Sequence, residues 1–441
     1  MRFFSRTDRA LWRLAIPMIV SNITVPLLGL VDTAVIGHLD SPDYLGGVAI
    51  GATATSFLFM LLLFLRMSTT GLTAQAYGAR DDQGLLRALM QPLLLALVAG
   101  VAIVVFRTPL IHLALTVTGG SEAVLAQAQA FLSVRWLGAP ASLANLVLLG
   151  WLLGVQYARA PVILLVVGNV LNIALDIWLV MGLGMNVKGA ALATTISEYV
   201  TLLLGLVMVW RVLVMRGIPL SGLKTAWFGN IRRLMALNRD IMLRSLLVQG
   251  CFASITVLGA RLGGDIVAVN ALLMTLLTFT AYALDGFAYA VEAHSGQAFG
   301  ARSKGQLLAV WGAACRQAGV VALGFSLVYA LAGPQIIGLL TSLPQLHQLA
   351  DKYLFWQVLL PVAGVWCYLL DGMFVGATRG AEMRNSMALS AAGFAVCLLT
   401  LPGFGNHGLW FSLVVFLVLR GVTLGWCWRR HWRDGTWFEV K

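Results

Sequence analysis

Gln75-Ala76-Tyr77-Gly78-Ala79-Arg80 recurs in this chain as Gln297-Ala298-Phe299-Gly300-Ala301-Arg302. The shift of 222 residues, from 75 to 297, also carries Leu85-Leu86 onto Leu307-Leu308, Phe131-Leu132 onto Tyr353-Leu354, Gly150 onto Gly372 and Gly154 onto Gly376. One chance hexapeptide does not extend so far without gaps, so the sequence reads as an internal duplication. The hexapeptide itself says less about chemistry. Its glycine and arginine are suited to ending a helix and anchoring it at a membrane surface.

The duplicated unit is a membrane unit. Of 441 residues, 59% are hydrophobic and 11% charged, against roughly a quarter charged in soluble domains. Apolar segments near the ~20 residues needed to cross a bilayer as a helix fall at about 13–36, 46–72, 85–106, 131–155, 161–183 and 189–212. A second set falls at 241–262, 266–293, 306–332, 353–377, 385–403 and 406–428. The expected fold is an all-α integral membrane protein of twelve transmembrane helices in two pseudo-symmetric six-helix bundles. Six is even, so both halves enter from the same side and the repeat is parallel, an arrangement that transporters use to bind substrate between halves. The expected division is an N-terminal lobe at 1–212, a cytoplasmic linker at 213–240, and a C-terminal lobe with its tail at 241–441.

The formal charge of +12 follows topology. Lys and Arg collect in the N-terminus, alternate loops, the linker and the tail. The opposite loops hold Arg107, Lys188, Arg261 and Lys352 beside Asp40, Asp43, Glu122, Asp265 and Asp351. The positive-inside rule then puts both termini in the cytoplasm, and the basic excess is read as attraction to anionic membrane lipids rather than to nucleic acid. Met1 to Arg13 is polar and basic and the apolar stretch after it is long enough to span, so no cleavable signal is expected. Cys251, Cys315, Cys367, Cys397 and Cys427 are spaced for neither zinc nor redox chemistry and read as packing residues. His38, His112, His294, His347, His407 and His431 form no metal-binding pattern.

Ionisable groups inside a span cost roughly 2.5–3.5 kcal/mol at its centre on insertion scales, so each calls for an explanation. Six acids fall there: Asp32, Asp176, Glu198, Asp285, Glu292 and Asp371. Asn169, Asn172 and Asp176, at i, i+3 and i+7, share one helix face. Asp32 lies in the first span with Asn22, Thr24, Pro17 and Pro26, where a proline permits a kink. Two carboxylates among amides and hydroxyls can exchange protons or hold a small hard cation, or they can lock helix packing. In the second half Thr278, Tyr282, Asp285, Tyr289 and Glu292 make one helical stripe, with Asp371 in a later span. The repeat maps these acids onto Leu63, Thr70 and Leu149, so the halves differ in polar chemistry. The stripe has a purely stabilising alternative in pairing with Arg244. Glu198 is assigned no role, and Arg66, Arg135 and Arg420 are ambiguous, with snorkelling toward an interface as their plainest explanation.

With its duplicated six-helix halves, LLGLVDTAVIGHLD at 27–40, the paired hexapeptides, and Asn172 with Asp176, the chain resembles the multidrug and toxic compound extrusion (MATE) family, nearest its DinF branch. The resemblance spans essentially the whole chain. It implies export of organic, often cationic, compounds in exchange for protons or sodium. Carried over by position, the cation-coupling site falls on Asp32, Asn172, Asp176 and Thr194, with Asn145 less securely aligned. Relatives of the NorM type use second-lobe acids for sodium, and Asp371 is placed for this, but the only seventh-helix acid is the membrane-edge Asp240.

The expected function is antiport of amphipathic organic molecules from the cytoplasm or inner leaflet across a bacterial inner membrane, by a single chain without a cofactor other than the coupling proton or sodium ion. Ion and substrate would each favour a different access state, with kinking at Pro17 or Pro26 as the relay and Met60, Met67, Tyr282 and Tyr289 as an adaptable wall. A lipid or lipid-linked saccharide flippase is the alternative within transport. An intramembrane enzyme is disfavoured by the absence of HExxH, nucleophile and phosphate-loop motifs.

Overall fold

The computed structural model describes residues 5–39, 41–227 and 229–439, without the side chains of 25–30 and 33. Asp40 and the Pro26 side chain, both invoked above, lie outside the described residues. The described chain is helical and contains no strand, as a bilayer requires of a polypeptide that satisfies its backbone within each segment. Eleven helical segments among the described residues are long and apolar enough to cross a membrane. The other expected span falls on Arg6–Gly37, which has 32 residues but is not one of the eleven.

The chain divides into two compact units, one of residues 1–22 and 233–441 and the other of residues 23–232. Helix α1 (Arg6–Gly37) contributes to both. The 23–232 unit continues with α2 (Pro42–Leu61), α3 (Phe64–Gly78), α4 (Asp82–Val105), α5 (Arg107–Thr118), α6 (Glu122–Arg135), α7 (Ala139–Gly154), α8 (Arg159–Asp176) and α9 (Asn186–Met215). The other contains α10 (Ile231–Leu262), α11 (Gly264–Gly300), α12 (Lys304–Leu340), α13 (Pro344–Gly376), α14 (Gly380–Cys397), α15 (Leu401–Phe404) and α16 (Asn406–Asp434). Helix α9 runs to Met215 and α10 starts at Ile231, so the ends of the segment expected as linker are helical.

The repeated hexapeptide closes α3 and α11 with one turn. The Ala79 and Asp81 N–H groups donate to Gln75 and Ala76 carbonyls at 2.9 and 3.0 Å, and Ala301 and Ser303 repeat this on Gln297 and Ala298 at 3.0 and 3.0 Å. The arginine, not the glycine, takes the left-handed conformation, with φ of 54° at Arg80 and 52° at Arg302. The next helix is then capped in each case, Asp81 Oδ1 accepting from the Gly84 N–H at 3.1 Å and Ser303 Oγ from the Gln306 N–H at 3.2 Å.

Glycines set the closest helix crossings. A Cβ on Gly150 of α7 would lie 2.7 Å from the Arg66 carbonyl oxygen of α3, and one on Gly372 of α13 would lie 2.7 Å from that of Ala288 in α11. Lipid offers no hydrophobic gain for helix association, so such backbone approach supplies the packing that holds spans together.

Two breaks interrupt the regular helices of the 23–232 unit. The span Glu122–Gly154 is interrupted by a 3₁₀ turn at Trp136–Gly138, just before Pro140. Helix α9 braces this break: Thr195 Oγ1 donates to the Val134 carbonyl at 3.2 Å and the Tyr199 hydroxyl to that of Leu137 at 2.8 Å. Helix α8 passes directly after Asp176 into a π-helical turn, Ile177–Gly182, a distortion frequent at functional sites.

The first part of α1 is anchored to its own unit. Asp8 is buried and accepts from Ser5, Arg316 and Gln317, while Trp12 Nε1 donates to Gln317 Oε1 at 3.0 Å. Further along, Asn22 Nδ2 donates to the Tyr282 carbonyl at 3.2 Å.

Candidate functional site

In the 23–232 unit, α1, α8 and α9 bring Asp32, Asn172, Asp176 and Thr194 together. The spacing of Asn172 and Asp176 puts both on one face of α8, and both are buried. Asn172 Nδ2 donates to Thr194 Oγ1 at 3.4 Å, and that hydroxyl donates to the Ala190 carbonyl at 3.2 Å. The carboxyl groups of Asp32 and Asp176 are close enough to interact. No N–H or hydroxyl among the described residues reaches Asp32 Oδ1, Asn172 Oδ1 or either Asp176 oxygen. Four buried acceptor atoms of Asp32, Asn172 and Asp176 therefore lack a donor among the described residues, and oxygens of this kind have the chemistry to take up a proton or a hard cation. Asn169, half-buried, continues the same face of α8.

The same unit buries a group that sequence reasoning left without a role. Arg135 ends α6, is 7% exposed, and lies within electrostatic range of Asp32 and Glu198. Its Nη2 is 3.8 Å from Glu198 Oε1, its Nη1 donates to Ser142 Oγ at 3.4 Å, and its guanidinium lies 5.2 Å from the centre of the Phe59 ring. Asn145 pins the acid from the other side, its Nδ2 donating to Glu198 Oε2 at 2.9 Å and to the Glu198 carbonyl at 3.1 Å. Arg135 is buried inside its unit, which snorkelling alone does not explain. The span expected at 131–155 starts at Glu122, which moves Arg135 from the end of the span toward its middle. Arg66 and Arg420 are buried as well, at 3% and 4% exposure.

The acids of the other unit have a different setting. Asp371 Oδ2 accepts from Arg244 Nη2 at 2.6 Å and from Arg420 Nη2. Arg420 also lies 5.6 Å from the Phe416 ring centre and 5.9 Å from that of Tyr368, contacts that favour a desolvated guanidinium. Asp285 is in the field of Arg420, Arg244, Asp371 and Glu292, and Tyr282 is beside Asp285. Glu292 is buried and Tyr289 half-buried on the same helix. Asp240 is held by Arg384 Nη1 at 2.6 Å and Arg239 Nη2 at 3.3 Å. Of the methionines expected to form an adaptable wall, Met67 is buried in its own unit and Met60 is exposed.

The MatE family model matches residues 17–178 and again 241–401, one stretch in each half of the chain. The chain belongs to the MATE family, in its DinF branch. This MATE chain is 76% identical over 440 residues to the DNA damage-inducible protein F of Escherichia coli, covering 100% of this chain and 96% of that one. It is 29% identical to a probable multidrug resistance protein NorM of Deinococcus radiodurans, with 94% of each chain covered. Among solved structures, a multidrug resistance MATE family transporter of the MOP superfamily in an outward-facing conformation shares 22% identity and superposes with a TM-score of 0.84, over 99% of this chain and 98% of that one. A MATE crystal structure in the bent conformation also gives 0.84, at 23% identity over 98% and 96% of the two chains. At this identity the superpositions speak for the fold. Family membership identifies a multi-pass membrane transport protein of the efflux type.

Proposed function

We propose that this chain is a secondary antiporter that exports amphipathic, cationic organic compounds from the cytoplasm in exchange for protons, with Asp32 and Asp176 as the proton carriers. One observation carries the reading: two carboxyl groups close enough to interact, with Asp32 Oδ1 and both Asp176 oxygens buried and without a donor among the described residues. Two ionised carboxylates repel; a shared proton turns the same contact into a hydrogen bond. Asn172 and Thr194 complete the pocket, and Asn145 supports it through Glu198. The substrate class is supported by the relatives named for multidrug resistance.

In this reading α1 is a twelfth span, the repeat is a parallel pseudo-symmetric pair of six-helix halves, and an even number of spans keeps both termini in the cytoplasm. The single chain is the working unit. The same four oxygens have the chemistry to hold sodium, and this is the second reading. Reconstituted protein loaded with a fluorescent cationic dye, with proton and sodium gradients imposed separately, distinguishes them. Dye export is expected under the proton gradient and is expected to be lost in Asp32→Asn and Asp176→Asn. Undiminished coupled export by well-folded forms of both variants would sink the proposed site.

A further inference from the structure

Glu198 places a carboxylate near the middle of α9, a 30-residue span, and 29% of its side chain is exposed. Acids within a span turn to the protein interior or to a water-filled cavity rather than to lipid. The two oxygens of Glu198 differ in setting. Asn145 Nδ2 donates to Oε2 at 2.9 Å and fixes the carboxylate, whereas Oε1 stands 3.8 Å from Arg135 Nη2, beyond hydrogen-bonding distance. The backbones that carry the pair are braced, because Thr195 and Tyr199 of α9 donate to the Val134 and Leu137 carbonyls on either side of Arg135. The guanidinium has other company as well: Nη1 donates to Ser142 Oγ at 3.4 Å, and the Phe59 ring centre is 5.2 Å away. Thr194, which accepts from Asn172 Nδ2, lies one turn from Glu198 on the same face of α9.

We propose that Glu198 recognises the positive charge of the exported compound, and that Arg135 stands in for that charge when the compound is absent. The ligand class is a monovalent organic cation with an N–H group. That group donates to Glu198 Oε1, a charge-assisted bond, and takes the place of the guanidinium, which keeps Ser142 and Phe59. A tight ion pair would have to be broken before a substrate could bind, and a carboxylate with no cation near it is costly to hold inside a span. The loose pair avoids both: it compensates the acid and leaves Oε1 open. The inference rests on the reading of the chain as an exporter of organic cations and names the group that binds them.

The test is equilibrium binding of rhodamine 6G, a fluorescent cation with N–H groups, to purified full-length protein in detergent, read by fluorescence anisotropy at one pH with no gradient. Glu198→Gln keeps the size of the side chain and removes its charge; it is expected to weaken binding at least about tenfold, the scale of a lost hydrogen bond to a charged group. Arg135→Gln removes the competitor and is expected to tighten binding by roughly fivefold, the upper scale of a loosely held ion pair. Opposite signs from the two ends of one contact separate recognition from a structural role, in which either loss weakens binding. If Glu198→Gln does not fold because Arg135 is left uncompensated, the double variant with Arg135→Gln, compared with Arg135→Gln alone, is expected to show the same tenfold loss. Arg135→Met keeps the stem beside Phe59 and replaces Arg135→Gln if that variant does not fold. Changes of the same sign at both positions, or parent-like affinity in either folded variant, would overturn the inference. A parent protein that neither binds rhodamine 6G nor exports it under a proton gradient would instead overturn the reading beneath it.

Discussion

Arg244 Nη2 and Asp371 Oδ2 meet at 2.6 Å, and the same carboxylate oxygen accepts from Arg420. One acid thus holds two buried cations. Removing a single partner from a buried ionic cluster leaves the remaining charge uncompensated, at a typical cost of about 3–5 kcal/mol. Asp371→Asn is therefore expected to lower the melting temperature in detergent more than Asp285→Asn, which removes no acceptor of a described guanidinium hydrogen bond. A large change in sodium dependence with unchanged melting would mark Asp371 as an ion ligand instead.

Gly150 and Gly372 each face a backbone carbonyl that a Cβ would approach to 2.7 Å. A backbone atom cannot swing aside as the end of a side chain can, so Gly150→Ala and Gly372→Ala must push their helices apart. The expected loss is about 1–3 kcal/mol for each, with lower melting temperatures for both. Gly305→Ala is the control, because a Cβ there meets nothing within 4 Å.

The Asp8 anchor gives a pH dependence of defined sign. Burial raises the Asp8 carboxyl, and hydrogen bonds from Ser5, Arg316 and Gln317 outweigh this and hold it below its ordinary value of 3.8. A carboxyl lowered in the folded state adds stability above its unfolded value and loses it as the pH falls through the folded one. Asp8→Asn should melt below the parent at neutral pH. The difference should narrow only once the pH drops below about 4, as melting curves across that range would reveal.

Arg379 holds the tail. Its Nη2 donates to the carbonyls of Thr436 and Trp437, both at 2.8 Å, and of Glu439 at 3.2 Å, and the Trp437 side chain is buried. Hydrogen bonds to charged groups contribute roughly 1.5–3 kcal/mol each, so Arg379→Met should release this segment. Carboxypeptidase should trim the variant past Trp437 faster than the parent, with mass spectrometry as the readout. Equal trimming rates would count against the latch.

Local spacing made part of this legible in the sequence. Asn172 and Asp176 share a face because a helix repeats every 3.6 residues, whatever surrounds it. The apolar runs are legible as membrane helices by their length, and the repeated hexapeptide is legible as a duplication by its fixed shift. Partners drawn from separate helices follow no such period. Asn145 and Glu198 are 53 residues apart and Arg244 and Asp371 are 127 apart, and no spacing rule joins them. The depth of Arg135 is hidden in the sequence because Glu122, Gln127 and Gln129 make the start of its span look polar. The span begins there regardless, which carries the arginine deeper than hydropathy suggests.

Helix α1 gives the chain a second covalent strap. Residues 216–230 join α9 to α10, but Asp8, Trp12 and Asn22 already fasten the start of the polypeptide to α11 and α12. Cutting the chain between α9 and α10 would therefore leave the fragments tied through the first helix. A version made as two polypeptides could assemble on that helix as a built-in affinity handle. A fragment beginning at α10 would lack the strand of helix that its own packing surface is shaped to receive.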